Sequence, residues 1–344
     1  MTFRNFKKLT LLSLAVSLFA SVSPLRAQDQ GSPLVVTATN AASNQLLVYD
    51  TKGKLLQTLS TQGKGGAGGN SGGIEARGNI VAVVNFGSDS VAIFERGAAG
   101  LHLTQMVPTA AGPLSVAFGA DYLYILGKAT VESHRMDGNN VSAGGDGVVS
   151  LIKSDGSAAQ VGVLPNELII TEKSNAIETV ELLPGGSVTG VATLVMNIPS
   201  NVSAPFGLVT RGNDAYVSIA AADEISLARK GDVLATTPTA AQHAPCWVAL
   251  AGPFLYSTNT ASRSISRFAV YGQKIVSDAP VAAVMNGGPI DVAAADGLLA
   301  VIDVAGSLSH ISIFMVDEDG NLTLRVANTI NSHANGIAFV GEAD

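Results

Sequence analysis

One cysteine, Cys246, stands in 344 residues. That excludes an intrachain disulfide framework and any Cys-based metal spacing. Lying between Pro245 and Trp247 with no Cys-His signature around it, it reads as a buried structural thiol, with a nucleophile as the alternative. Charged residues make up only 14% and aromatics 5%, against 47% hydrophobic and 37 glycines, a composition too apolar for a disordered chain. One catalytic signature is missing as well, since the sequence has no His-Glu-x-x-His helix. The Gly-rich run Gly63 to Gly73 contains Lys64, but Gly65 follows the lysine and a strand pattern comes next, so the phosphate-cradling loop is excluded and a flexible connection is expected.

Long apolar runs are confined to the N-terminus. Arg4, Lys7 and Lys8 precede the stretch Leu9 to Val22, and Leu25-Arg26-Ala27 offers a small residue before Gln28. This pattern predicts a signal peptide over residues 1–27, cleaved after Ala27, and a secreted or periplasmic protein over residues 28–344. The alternative is an uncleaved anchor, although the run is shorter than the ~18–20 residues of a membrane span. Nothing else in the sequence spans a bilayer, so no membrane insertion is expected after cleavage. Losing Arg4, Lys7, Lys8 and Arg26 leaves 16 basic against 27 acidic residues, a net of about −11. Such a surface disfavours nucleic acid and anionic membranes as partners, and an acidic substrate would need a local basic site.

What the chain does have is a repeat. From Gly288 to Leu324 four short apolar runs (290–293, 298–302, 311–316 and 322–324) are separated by turns that include Asp296-Gly297 and Asp319-Gly320. This is the pattern of a four-stranded antiparallel meander, which cannot bury both faces alone. A small residue followed by Pro opens it, and the same opening occurs at Gly112-Pro113, Ala204-Pro205, Ala244-Pro245 and Gly288-Pro289, with degenerate copies at Gly72-Gly73, Ala159-Gln160 and Ala334-Asn335. The spacings of 40 to 47 residues are those of propeller blades. The seventh start has one strand after it, whereas three strand patterns, 34–39, 46–49 and 55–59, precede the first. The prediction is therefore an all-β, seven-bladed β-propeller forming one domain, closed by N-terminal strands pairing with the C-terminal strand, so that no sheet edge propagates. The blade from Gly112 carries a polar insertion at 137–147, expected on a rim as part of a binding face or as a loop. Asn40, Asn85 and Asn259 end apolar runs, where Asn satisfies turn backbone.

The segments Ser43-Asn44-Gln45-Leu46-Leu47-Val48-Tyr49, Ser88-Asp89-Ser90-Val91-Ala92-Ile93-Phe94, Leu164-Pro165-Asn166-Glu167-Leu168 and Ile170-Thr171-Glu172-Lys173 resemble the seven-bladed lactonase propellers, the family of propeller-type 6-phosphogluconolactonases and carboxymuconate-lactonizing enzymes, and are similar to YVTN surface repeats. The resemblance spans essentially the whole mature chain, but its motifs encode blade structure, so the fold transfers better than the activity. Its implication is hydrolysis of a small sugar-derived or dicarboxylic lactone at the channel mouth. The alternative is a non-catalytic exported propeller that binds a protein or glycan. The His, Arg and Glu cluster expected of such enzymes is absent, because His102, His134, His243, His310 and His333 are scattered.

Site candidates therefore come from position in the blade. The loops entering the inner strands hold His243 and His333, and the inner runs place Glu75, Ser115, Trp247 and Asp291 toward the channel. For water-activating chemistry His243, His333, Glu75 and Asp291 are the expected catalytic groups, with Arg263, Lys173 and Trp247 as substrate-binding groups. The alternative for Glu75 and Asp291 is simple solvation of a wet channel. Arg77 and Arg211 fall in turns on the opposite face and are expected to be solvated. No cofactor is expected, although separated Glu, Asp and Asn residues leave room for a channel-bound divalent cation. A monomer is expected.

Overall fold

The computed structural model describes residues 32–190, 192–196, 204–230, 232–330 and 333–342; the signal-peptide segment lies outside them. Seven antiparallel sheets follow one another along Ser32–Asp344. From inner to outer strand, blade 1 is Asn335–Val340, Leu34–Ala38, Gln45–Tyr49 and Leu55–Ser60. Blade 2 is Ile74–Arg77, Ile80–Asn85, Ser90–Gly97 and Gly100–Pro108; blade 3 is Ser115–Phe118, Tyr122–Leu126, Thr130–Asp137 and Gly147–Ser150. Blade 4 is Ala158–Val163, Glu167–Glu172, Ala176–Glu181 and Thr193–Met196; blade 5 is Pro205–Arg211, Asp214–Ile219, Glu224–Arg229 and Asp232–Pro238. Blade 6 is Pro245–Ala251, Phe254–Asn259, Ser264–Tyr271 and Lys274–Val284; blade 7 is Gly288–Ala295, Leu298–Ala305, Leu308–Val316 and Leu322–Ile330. This is the seven-bladed β-propeller expected from the repeat, and every inner strand begins within two residues of its predicted start.

Period-2 alternation explains why the blades stack. In blade 1, Leu46 and Val48 pack toward blade 2, against Val81, Val83 and Phe94. Their neighbours Leu47 and Tyr49 pack toward blade 7, against Ala300, Ile302 and Ile313. Each strand thus serves two interfaces. The buried apolar residues form seven clusters, one per blade junction.

The small residue of the opening signature also has a backbone reason. In four of the seven openings that residue, Gly72, Gly112, Ala204 or Ala244, has positive φ, between 23° and 69°, which turns the chain into the inner strand. Large or branched side chains are disfavoured in that conformation. A bulge follows directly in several blades, with register shifts at Pro205/Leu208, Pro245/Trp247 and Pro289/Asp291. Proline costs no ladder hydrogen bond at such an edge-like first position.

Two sequence readings change. The insertion in blade 3 forms a short hairpin, Asn140–Val141 pairing with Met136 and Asp137, and it braces blade 2 through Val141 N–H to Gln105 Oε1 at 3.0 Å. It shapes no part of the channel mouth. Arg77 is half-buried instead of solvated: its Nη1 donates to the carbonyls of Gly119 at 2.5 Å and Ala120 at 2.8 Å, tying blade 2 to blade 3. Arg211 is exposed and ties blade 5 to blade 6 through Gly252 O at 2.8 Å.

Closure rests on Asn335–Val340, which pairs with Leu34–Ala38 and buries Ile337, Ala338 and Val340. Deleting residues 333–344 is expected to remove at least ~4 kcal/mol of burial and expose the unpaired edge of Leu34–Ala38. Thermal unfolding should shift down by ten degrees or more or lose cooperativity; an unchanged transition would show that the ring does not depend on this strand.

Candidate functional site

The Gly-rich stretch before blade 2 is a plug rather than a flexible connection. Asn40 at the end of a blade 1 strand has φ of 53°, and its side chain grips the loop: Oδ1 accepts Gly66 N–H at 2.6 Å and Ala67 N–H at 3.0 Å, while Nδ2 donates to Ala67 O at 2.7 Å. Gly65 crosses the Asn40 backbone so closely that a Cβ there would overlap the Asn40 carbonyl. The chain then passes over the channel. Asn70 Nδ2 donates to Leu114 O beside blade 3 at 2.6 Å, its amide pairs with that of Asn335 in blade 1 at 3.0 Å, and its carbonyl accepts Trp247 Nε1–H of blade 6 at 3.3 Å. Ser71 N–H donates to Ala159 O of blade 4 at 3.0 Å. Asn70 and Ser71 are almost fully buried. One end of the channel is thereby closed.

Below the plug lies a cavity of about 930 Å³, with Ser71 at its floor. Its walls are the inner strands, and its mouth is at the opposite face, where the turns Gly119–Asp121 and Pro165–Asn166 and the residue Gly212 join first and second strands. A short segment of blade 4, Leu182 to Gly186, forms one side of the mouth and is anchored by Tyr124 Oη donating to Gly186 O at 2.6 Å.

Glu75 and Asp291 are the two predicted residues that line this cavity. Glu75 retains some accessible surface; Asp291 is buried and its Oδ1 accepts Val292 N–H at 2.8 Å. Burial pushes the Glu75 carboxyl up to about 8, against the opposing pull of the Phe118 backbone N–H and the Arg77 charge. Burial likewise pushes Asp291 up to about 7, opposed by backbone N–H groups of Val292 and Ile337. In each case desolvation outweighs the groups that favour the anion.

The other candidates lie elsewhere. His243 is 63% exposed in the loop before blade 6, its Nδ1 2.7 Å from Asp223 Oδ2. His333 is exposed before the inner strand of blade 1, and Arg263 is exposed in a blade 6 turn with φ of 52°. Trp247 is buried edge-on against Phe206, 5.0 Å between ring centroids. Lys173 secures the plug, with Nζ donating to Gly69 O at 2.7 Å and Ala158 O at 3.0 Å, and its own pKa is lowered by burial. None of these five lines the cavity. Cys246 is partly buried and its thiol pKa is raised by burial, which keeps it a thiol and weakens it as a nucleophile.

Sequence reasoning missed Gln160, Tyr124 and Asn166, which also line the cavity. Gln160 stands where other blades carry proline in the opening signature, and that substitution was the available signal. Its Oε1 accepts Leu208 N–H at 2.7 Å, so Nε2 is the donor end of the amide. Among the described residues no group of three or more His, Cys, Asp and Glu side chains is placed to hold a metal ion.

No family model and no curated relative matches this chain. Solved structures do. A provisionally assigned 6-phosphogluconolactonase of Bacteroides fragilis is 14% identical over 91% of this chain and 99% of its own, with a TM-score of 0.63. Another from Bacteroides uniformis is 14% identical over 90% and 100%, with a TM-score of 0.66. A virginiamycin B lyase from Staphylococcus aureus is 13% identical over 80% and 92%, with a TM-score of 0.55. At these identities the likeness concerns the fold.

The raised carboxyls tie stability to pH. In the folded chain Glu75 and Asp291 stay protonated above the ordinary carboxylate range, as does Glu172, which burial also lifts to about 8. Their contribution is complete below about pH 4 and is lost as pH rises through about 7 to 8. The double variant Glu75→Gln/Asp291→Asn is therefore expected to melt higher than the parent at pH 8.5, by at least ~1 kcal/mol, and nearly level with it at pH 3.5. Equal differences at both pH values would show that the two carboxyls are not protonated in the folded state.

Proposed function

We propose that the protein is an exported lactonase-like hydrolase acting on a small sugar-derived lactone in the plugged channel. The observation that carries this reading is that two carboxyls, Glu75 and Asp291, stand on the wall of one cavity, both pushed up by burial. Buried carboxyls held above their ordinary range can serve as acid and base near neutral pH. Asp291 draws a proton from water as its oxygen attacks the lactone carbonyl. The Glu75 carboxylic acid and the Gln160 amide donate to the developing oxyanion. The ring C–O bond then breaks, and the departing oxygen becomes a hydroxyl by taking the proton that Asp291 had accepted from water. The names of the Bacteroides neighbours support the lactone class. The N-terminal segment supports a secreted or periplasmic site of action.

The test is hydrolysis of a panel of small lactones across pH 5 to 10. Asp291→Asn should lower kcat/KM by roughly 10²- to 10⁴-fold and Glu75→Gln by roughly 10²- to 10³-fold, both still folded. The parent profile should be bell-shaped with limbs near 7 and 8. His243→Ala and His333→Ala should leave turnover intact. Absence of turnover over the whole panel would move the reading to a non-catalytic propeller that holds a protein or glycan.

A further inference from the structure

The charge of the cavity wall constrains its ligand more tightly than its size does. Three ionisable carboxyls line it, Glu75, Asp121 and Asp291, and no lysine, arginine or histidine does. Two cations held between neighbouring blades are committed elsewhere. Arg77 spends its guanidinium on the carbonyls of Gly119 and Ala120 and on Met136 Sδ at 3.3 Å, and Lys173 spends its ammonium on Gly69 and Ala158. A phosphate or carboxylate entering the cavity would give up its water with no cationic side chain on the wall to pair with and would face acids. Bidentate arginine, the usual device for holding phosphate, is missing from the wall.

From this wall we infer that the cavity takes an uncharged, hydroxyl-bearing lactone of about one or two rings, and rejects phosphorylated and carboxylated ones. The inference rests on the lactonase reading for the ring chemistry and narrows it to the neutral branch of that class. Ligand hydroxyls find acceptors in the carboxyl oxygens and in the carbonyls around the mouth. The ring carbonyl finds donors in Gln160 Nε2 and in the protonated carboxyl. Apolar ring faces meet Ile74, Leu208 and Ile337, which line the same walls. A volume near 930 Å³ holds such a ligand together with its bridging waters.

The experiment is calorimetric binding at pH 7.5 of four non-hydrolysable δ-lactams built on one polyhydroxylated ring: the neutral compound, its 6-phosphate, its 6-carboxylate and its 6-ammonium derivative. The neutral lactam should bind, and both anions should bind at least about tenfold more weakly. In the Glu75→Gln/Asp291→Asn variant the gap between neutral and anionic ligands should narrow. The inference is overturned if either anion binds as well as the neutral lactam, if the ammonium derivative binds as weakly as the anions, or if no lactam binds. Binding of the neutral lactam without turnover of the matching lactone would sustain this inference and overturn the hydrolase reading alone.

Discussion

The hydrogen bonds of Asn70 and Ser71 across the channel are the constraint on which the site depends. A propeller channel left open at both ends is filled with bulk-connected water, and an acid on an inner strand would then ionise near its ordinary value. The plug closes one end with groups drawn from blades 1, 3, 4 and 6. It makes the channel a blind cavity with one mouth. Desolvation of Glu75 and Asp291 follows from that enclosure. The loop is able to cross at all because its glycines permit backbone approaches that a Cβ would block, as at Gly65 over Asn40.

The blades were legible in the sequence because they are written locally. A turn dipeptide, a period-2 run and a small residue recur every 40 to 47 residues, and the small residue marks where an inner strand begins. Closure was legible for the same reason, since one strand was left over at one end and three at the other. Position in the inner run made Glu75 and Asp291 legible as channel residues, but the same position misplaced Ser115 and Trp247, which do not line the cavity.

The plug was not legible. A run of seven glycines in eleven residues has the composition of a flexible linker, and what orders it is distant in sequence: Asn70 meets Trp247 across 177 residues and Asn335 across 265. That one error carried a second. With the plug unseen, the loops entering the inner strands looked like the open face, and His243 and His333 looked like its chemistry. The mouth is on the other side, and His243 instead anchors to Asp223 and Ser262 on the closed face. Lys173 illustrates the same point, since a lysine expected to meet a substrate holds the plug in place.

The central claim is therefore that residues 63–73 form a fixed closure, and amide hydrogen exchange measures it directly. The account predicts that the Gly66, Ala67 and Ser71 amides, each hydrogen-bonded within the plug or to a neighbouring blade, exchange slowly and within reach of the inner-strand amides. Exchange of all three at the rate of an unstructured glycine-rich loop would contradict it, reopening the channel at both ends and removing the cause of the raised carboxyl pKa values.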